Sequence, residues 1–83
     1  MENFRLNSRV ASPDREYLIQ TFNDSMTNRI RSSIFSDGIL LDTVEEEFYP
    51  SIAETELLEL VKTTHKERKE EVEHLLEKFK LAR

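Results

Sequence analysis

Asn28-Arg29-Ile30-Arg31-Ser32-Ser33-Ile34-Phe35-Ser36-Asp37-Gly38-Ile39-Leu40-Leu41-Asp42-Thr43-Val44-Glu45-Glu46-Glu47-Phe48 is the stretch on which the fold turns. Two runs rich in apolar and β-branched residues flank Asp37-Gly38. Aspartate tolerates a left-handed turn and glycine adopts positive φ without steric cost, so the pattern predicts a β-hairpin. Gly38 is also the single glycine of the chain. With Asp37-Gly38 as a two-residue loop, Ile34 faces Leu41, Phe35 faces Leu40, and Ile30 stands opposite Glu45. A three-residue loop Ser36-Asp37-Gly38, with a bulge at Gly38, instead sets Ile34 against Leu40, Ile30 against Val44 and Arg29 against Glu45. The second register pairs apolar with apolar and Arg with Glu, and is the expected one. It gathers Ile30, Ile34, Leu40, Val44 and Phe48 on a core face. Arg29, Arg31, Ser33, Phe35, Ile39 and Leu41 fall on the other.

Upstream of the hairpin the chain reads as two more strands. From Glu2 to Ala11, Phe4, Leu6 and Val10 alternate with Arg5, Asn7 and Arg9, the period-two pattern of a strand with one buried face. Ser12-Pro13-Asp14 breaks it, because proline fixes a turn dihedral and removes a ladder donor. Glu16 to Asn23 follows, with Tyr17, Ile19 and Thr21 on one side and Leu18, Gln20 and Phe22 on the other.

Downstream, Pro50 ends the sheet and Ser51-Ile52-Ala53-Glu54 has the form of a capping box, predicting a helix from 51 to 82. Leu58, Val61, His65, Arg68, Val72, Leu75 and Phe79 recur at alternating spacings of three and four, a heptad seam with a polar centre. Leu57, Leu60 and Leu76 widen it. The polar run from Thr64 to Glu71 leaves a bend or a break into two helices open. A helix of about 30 residues is ~45 Å long, whereas a strand of about eight spans only ~27 Å. The helix therefore overhangs its sheet. Leu57, Leu58 and Val61 are expected to cover the sheet, and the seam Val61, His65, Arg68, Val72, Leu75, Leu76 and Phe79 is expected to form a homodimer interface with a second copy.

The chain has 83 residues, no cysteine and a net charge of −5. That length makes one domain, residues 1–83, with sheet over 1–49 and helix over 51–82. The composition excludes a disulfide framework, and no apolar run approaches the roughly 20 residues that span a bilayer. A cytoplasmic protein is expected. The first 49 residues hold five arginines and no lysine against nine acids, for a net −4, while the remainder carries a net −1. An acidic chain is not expected to hold nucleic acid by bulk charge.

The residues fill no set of catalytic roles. His65 and His74, nine positions apart, lie on opposite sides of a helix and do not form a metal pair. Glu70, Glu71 and Glu77 near His74 read as a solvated face. Glu45-Glu46-Glu47 reads as the cross-strand partner of Arg29 and Arg31. No nucleophile, base and acid converge, so neither an enzyme, a cofactor nor a metal site is expected. What remains is a sheet face of Arg5, Arg9, Arg29, Arg31 and Phe35, rimmed by Ile39 and Leu41. Arginine and aromatic residues dominate protein interface hot spots; they also track phosphates and stack on bases.

Leu18-Ile19-Gln20-Thr21, Ile34-Phe35-Ser36-Asp37-Gly38-Ile39-Leu40 and a helix carrying Leu60-Val61 and His65-Lys66 resemble a group of small uncharacterised bacterial proteins. These share a Gln-Thr strand, a Phe-x-x-Gly hairpin and a C-terminal helix with a central histidine. The resemblance implies no activity. Four strands followed by one helix, paired into a dimer, are also similar in topology to the purine-rich-element-binding repeat, which implies single-stranded nucleic-acid binding. The expectation is an α+β protein, an antiparallel four-stranded β-meander followed by one long helix. Its expected role is a non-catalytic protein–protein interaction module or adapter, with single-stranded nucleic-acid binding as the alternative.

Overall fold

The computed structural model describes residues 3–81, with side chains over 3–77. Four strands, β1 (Arg5–Ala11), β2 (Glu16–Asp24), β3 (Arg29–Ser36) and β4 (Ile39–Glu47), form one antiparallel sheet in the order β1-β2-β3-β4. One helix, α1 (Glu54–Leu81), follows. The meander and helix are those expected from the pattern. Strand β1 begins at Arg5, and Glu2 lies outside the described residues.

Alternation assigns the faces correctly over the first three strands. Leu6, Ser8 and Val10 of β1 pair with Thr21, Ile19 and Tyr17 of β2, and Ile19, Thr21, Ile30, Ser32 and Ile34 are all buried beneath α1. Arg5, Arg9, Leu18, Phe22, Arg31 and Phe35 point the other way, as their positions in the same register require.

The β3–β4 hairpin corrects the expected register. Asp37 (φ 53°) and Gly38 (φ 78°) form a two-residue loop with positive φ at both positions, so Ser36 faces Ile39 and Phe35 faces Leu40. The ladder then slips at Leu41, and beyond it Ile34 faces Asp42, Ser32 faces Val44 and Ile30 faces Glu46. The bulge therefore sits in β4, not at Gly38. One extra residue restores the parity that the three-residue loop was invoked to supply. Leu40 lies with Phe35 on the outer face rather than in the core. Ile39, opposite the buried Ser36, lies on the helix side, and Leu41 lines a groove beside α1.

The connection after β4 also differs from expectation. Ile52 N donates to Tyr49 O at 3.0 Å and the first helical bond runs from Leu57 N to Ala53 O at 2.9 Å. Helix α1 thus starts at Glu54, and Ser51 lies in the preceding turn instead of capping it. Glu54 and Glu56 place negative charge in the first turn, where the helix dipole favours it.

Helix α1 runs unbroken through 64–71. Its buried stripe joins two apolar clusters. Leu57 and Val61 pack with Ile30 and Phe48, while Val72 packs with Ile19 and Ile34. Val72 lies 18 residues after Glu54, ~27 Å along the helix, which is still over the sheet. Val61, His65, Arg68 and Val72 are accordingly filled by the chain's own sheet and not by a second copy. Of the expected seam, Leu76 packs beside Val72, Leu75 is half exposed, and the side chain of Phe79 lies outside the described residues. Among the described residues no helix is long and apolar enough to cross a membrane.

Candidate interaction faces

Helix α1 covers one side of the sheet, so the other side is open. Along it the arginines meet acids from neighbouring strands. Arg9 Nη1 donates to Glu16 Oε1 at 3.0 Å. Arg29 donates to Glu45 Oε2 at 2.9 Å and to Glu47 Oε1 at 3.2 Å, and Arg31 Nε donates to Glu45 Oε1 at 2.9 Å. The Glu45 carboxyl, held first by Arg29 and then by Arg31, is kept below its ordinary pKa, and Arg29 is raised by Glu45 first and then by Glu47. These are solvated pairs, individually weak, but they leave little free positive charge. Counting Asp24, opposite Arg29, four acids of this face match its four arginines.

Phe22 is the aromatic centre of the face. The guanidinium of Arg5 lies 5.4 Å from its ring centroid and that of Arg31 lies 5.8 Å away, a distance at which a cation is attracted to the ring. Beside it Arg9, Glu16, Leu18, Gln20 and Phe35 line an open hollow that ends at the Asp37-Gly38 turn. Arg5, Arg9, Arg29, Arg31 and Phe35 thus share one surface. Ile39 and Leu41 do not belong to it, because the two-residue turn and the β4 bulge carry both to the helix side; Leu40 takes their place. The exposure of Leu40 beside Phe35 depends on the turn register, which strand alternation alone leaves ambiguous.

Under the helix, His65 joins three strands. Its Nε2 lies 2.8 Å from Ser8 Oγ, its Nδ1 lies 2.7 Å from Thr21 Oγ1, and Thr21 Oγ1 lies 2.9 Å from Ser32 Oγ. Burial first, and then the charge of Lys69, push the imidazole pKa down. A serine beside a histidine is the beginning of a nucleophile–base pair, but here the second ring nitrogen meets a hydroxyl and not a carboxylate. What the arrangement does is satisfy the buried His65, Thr21 and Ser32 and the half-buried Ser8, and fix the register of α1 against β1, β2 and β3. The hydroxyls lie on separate strands, so only the strand pairing brings them to the histidine.

One turn later Arg68, with its side chain 6% exposed, donates to Asp42 Oδ2 and Glu71 Oε2, both at 2.6 Å. This buried guanidinium is the link between α1 and β4. Exposed His74 and its neighbouring glutamates form no cluster suited to a metal ion among the described residues.

Comparison of the chain with protein-family models, curated proteins and solved structures finds no match.

Proposed function

We propose that this chain is a non-catalytic protein–protein interaction module that meets its partner on the open sheet face built from Arg5, Phe22, Arg31, Phe35 and Leu40. The observation that supports this reading best is the cross-strand pairing of Arg9, Arg29 and Arg31 with Glu16, Glu45 and Glu47. A single-strand binder needs unneutralised cations along its groove, because affinity comes from releasing counterions from phosphate. Here that charge is cancelled in place, and the remainder is a rigid mosaic of aromatic, aliphatic and guanidinium groups. Such a mosaic resembles the centre of a protein interface, where Arg and aromatic side chains carry most of the energy.

A photo-crosslinking residue placed at Leu18, on the open face, and another at exposed Glu73 of α1 test this in cells that make the protein. The reading expects a discrete protein adduct from position 18, absent from position 73 and lost when Arg31→Ala and Phe35→Ala are combined. No adduct at position 18, or one indifferent to that double change, would remove the face from the proposal.

A further inference from the structure

A sheet of four strands is ~14 Å wide between its outer strands, whereas a helix with its side chains is about 10–12 Å across. One helix therefore cannot cover it. Helix α1 packs over β1, β2 and β3, and among the described residues its ion pair to β4 is that of Arg68 with Asp42. The helix side of β4 is left bare. Ile39, Leu41 and Val44 are 65%, 52% and 38% exposed, and Leu75 on the facing flank of α1 is 52% exposed. Between them runs a groove of about 340 Å³, floored by Ile34 and walled by Leu41, Val72 and Leu75.

Among the described residues, the exposed charges around this groove are negative. Among the described residues Arg68 is the single cation lining it, buried and already shared between Asp42 and Glu71, whose side chains remain 58% and 57% exposed. Glu46, opposite the buried Ile30, adds a further exposed carboxylate on the helix side of β4. Lys62 and Lys69 fall on the opposite flank of α1, at 100° per residue from Arg68 and Leu75. We propose that this groove takes a basic amphipathic helix of a partner protein, laid beside α1 as the second helix of the layer. Its apolar stripe would meet Ile39, Leu41, Val44 and Leu75, and its lysines or arginines would meet Asp42, Glu46 and Glu71.

Two other occupants fit the groove less well. A second copy brings its own net charge of −5 and the same acidic rim against this one. An added strand meets the bulge at Leu41 and the inward-facing carboxylates Asp42 and Glu46, which are features that keep an edge strand from pairing. The groove lies on the opposite side of the sheet from the Arg/Phe face and stands or falls independently of it.

Fluorescence polarisation with the full chain tests the groove. The probes are a labelled model peptide with leucine at i, i+3, i+4 and i+7 and lysine on both flanks, its glutamate-for-lysine counterpart, and a scrambled peptide of the lysine composition. The expected result is saturable binding of the lysine helix, weakened about tenfold or more in each of the other two peptides. Leu41→Ser combined with Leu75→Ser is expected to cause a comparable loss, while Phe35→Ala leaves affinity unchanged. Circular dichroism of each variant distinguishes loss of the groove from loss of the fold, and a Glu46→Lys variant, at an exposed site, gives an independent reading with the same expected direction. Equal binding of all three peptides, or affinity indifferent to both sets of changes, would overturn the proposal. So would a concentration-dependent dimer dispersed by Leu75→Ser, which would assign the groove to a second copy.

Discussion

His65 sits where three strands and the helix meet, and its surroundings favour the neutral ring. Desolvation is the larger cause and Lys69 the smaller, and both push its pKa below the ordinary value of 6.5. Ser8 and Thr21 supply hydroxyls to its two nitrogens, and neither hydroxyl offers the negative charge that an imidazolium would need. As pH falls through 6.5, the unfolded chain takes up a proton that the folded chain still refuses, so stability declines. The decline ends once pH passes the lowered folded value. The carboxyls of Asp24 and Glu45, which are held below their ordinary values, begin to lose their contribution only at more acidic pH than that at which the His65 decline begins. Urea titrations across the mildly acidic range should show a midpoint that falls with pH below 6.5, and His65→Gln should flatten that slope. A midpoint that rises as pH falls there would contradict neutral burial.

The β3–β4 hairpin shows how one element decides which side chains a partner meets. Both loop residues have positive φ, and a Cβ on Gly38 would meet nothing within 4 Å. Replacing Gly38 therefore acts through the backbone alone. Gly38→Ala is expected to cost about 1–2 kcal/mol, the penalty of a left-handed L-residue, read as a lower urea midpoint with an unchanged slope; an unchanged midpoint would mean the turn is not held as described. The period-two pattern placed β1, β2 and β3 and their faces because the residues that lie under α1 recur at every second position of each strand. It misplaced Leu40, Ile39 and Leu41 because two small irregularities, a tight loop and a bulge, give the same parity in the far half of β4 as one larger loop. Heptad spacing likewise found the buried stripe of α1 but gave its part from Val61 onward to a second copy. The stripe is a property of the helix, and what fills it depends on how far the sheet reaches beneath. Val72 still lies above Ile19 and Ile34.

At the scale of the whole molecule, the sheet separates two kinds of surface. One side carries arginines matched by acids around Phe22 and Phe35; the other carries α1 and, beside it, an apolar groove rimmed by carboxylates. The first was legible in the alternation of Arg5, Arg9, Arg29 and Arg31 with core residues. Its neutrality was not fully legible, because the pairing of Arg9 with Glu16 depends on the β1–β2 register. The groove was hidden altogether, because a linear pattern does not reveal how much of a four-stranded sheet one helix leaves bare. Charge cancellation on the open face is what favours the proposed interaction module over a nucleic-acid binder. Fluorescence polarisation of labelled single-stranded DNA and RNA with the full chain at low salt examines it directly. Negligible binding is predicted at every concentration at which the protein remains soluble. Tight binding that falls steeply with added salt and is abolished by Arg31→Ala with Phe35→Ala would contradict the account and assign the face to nucleic acid.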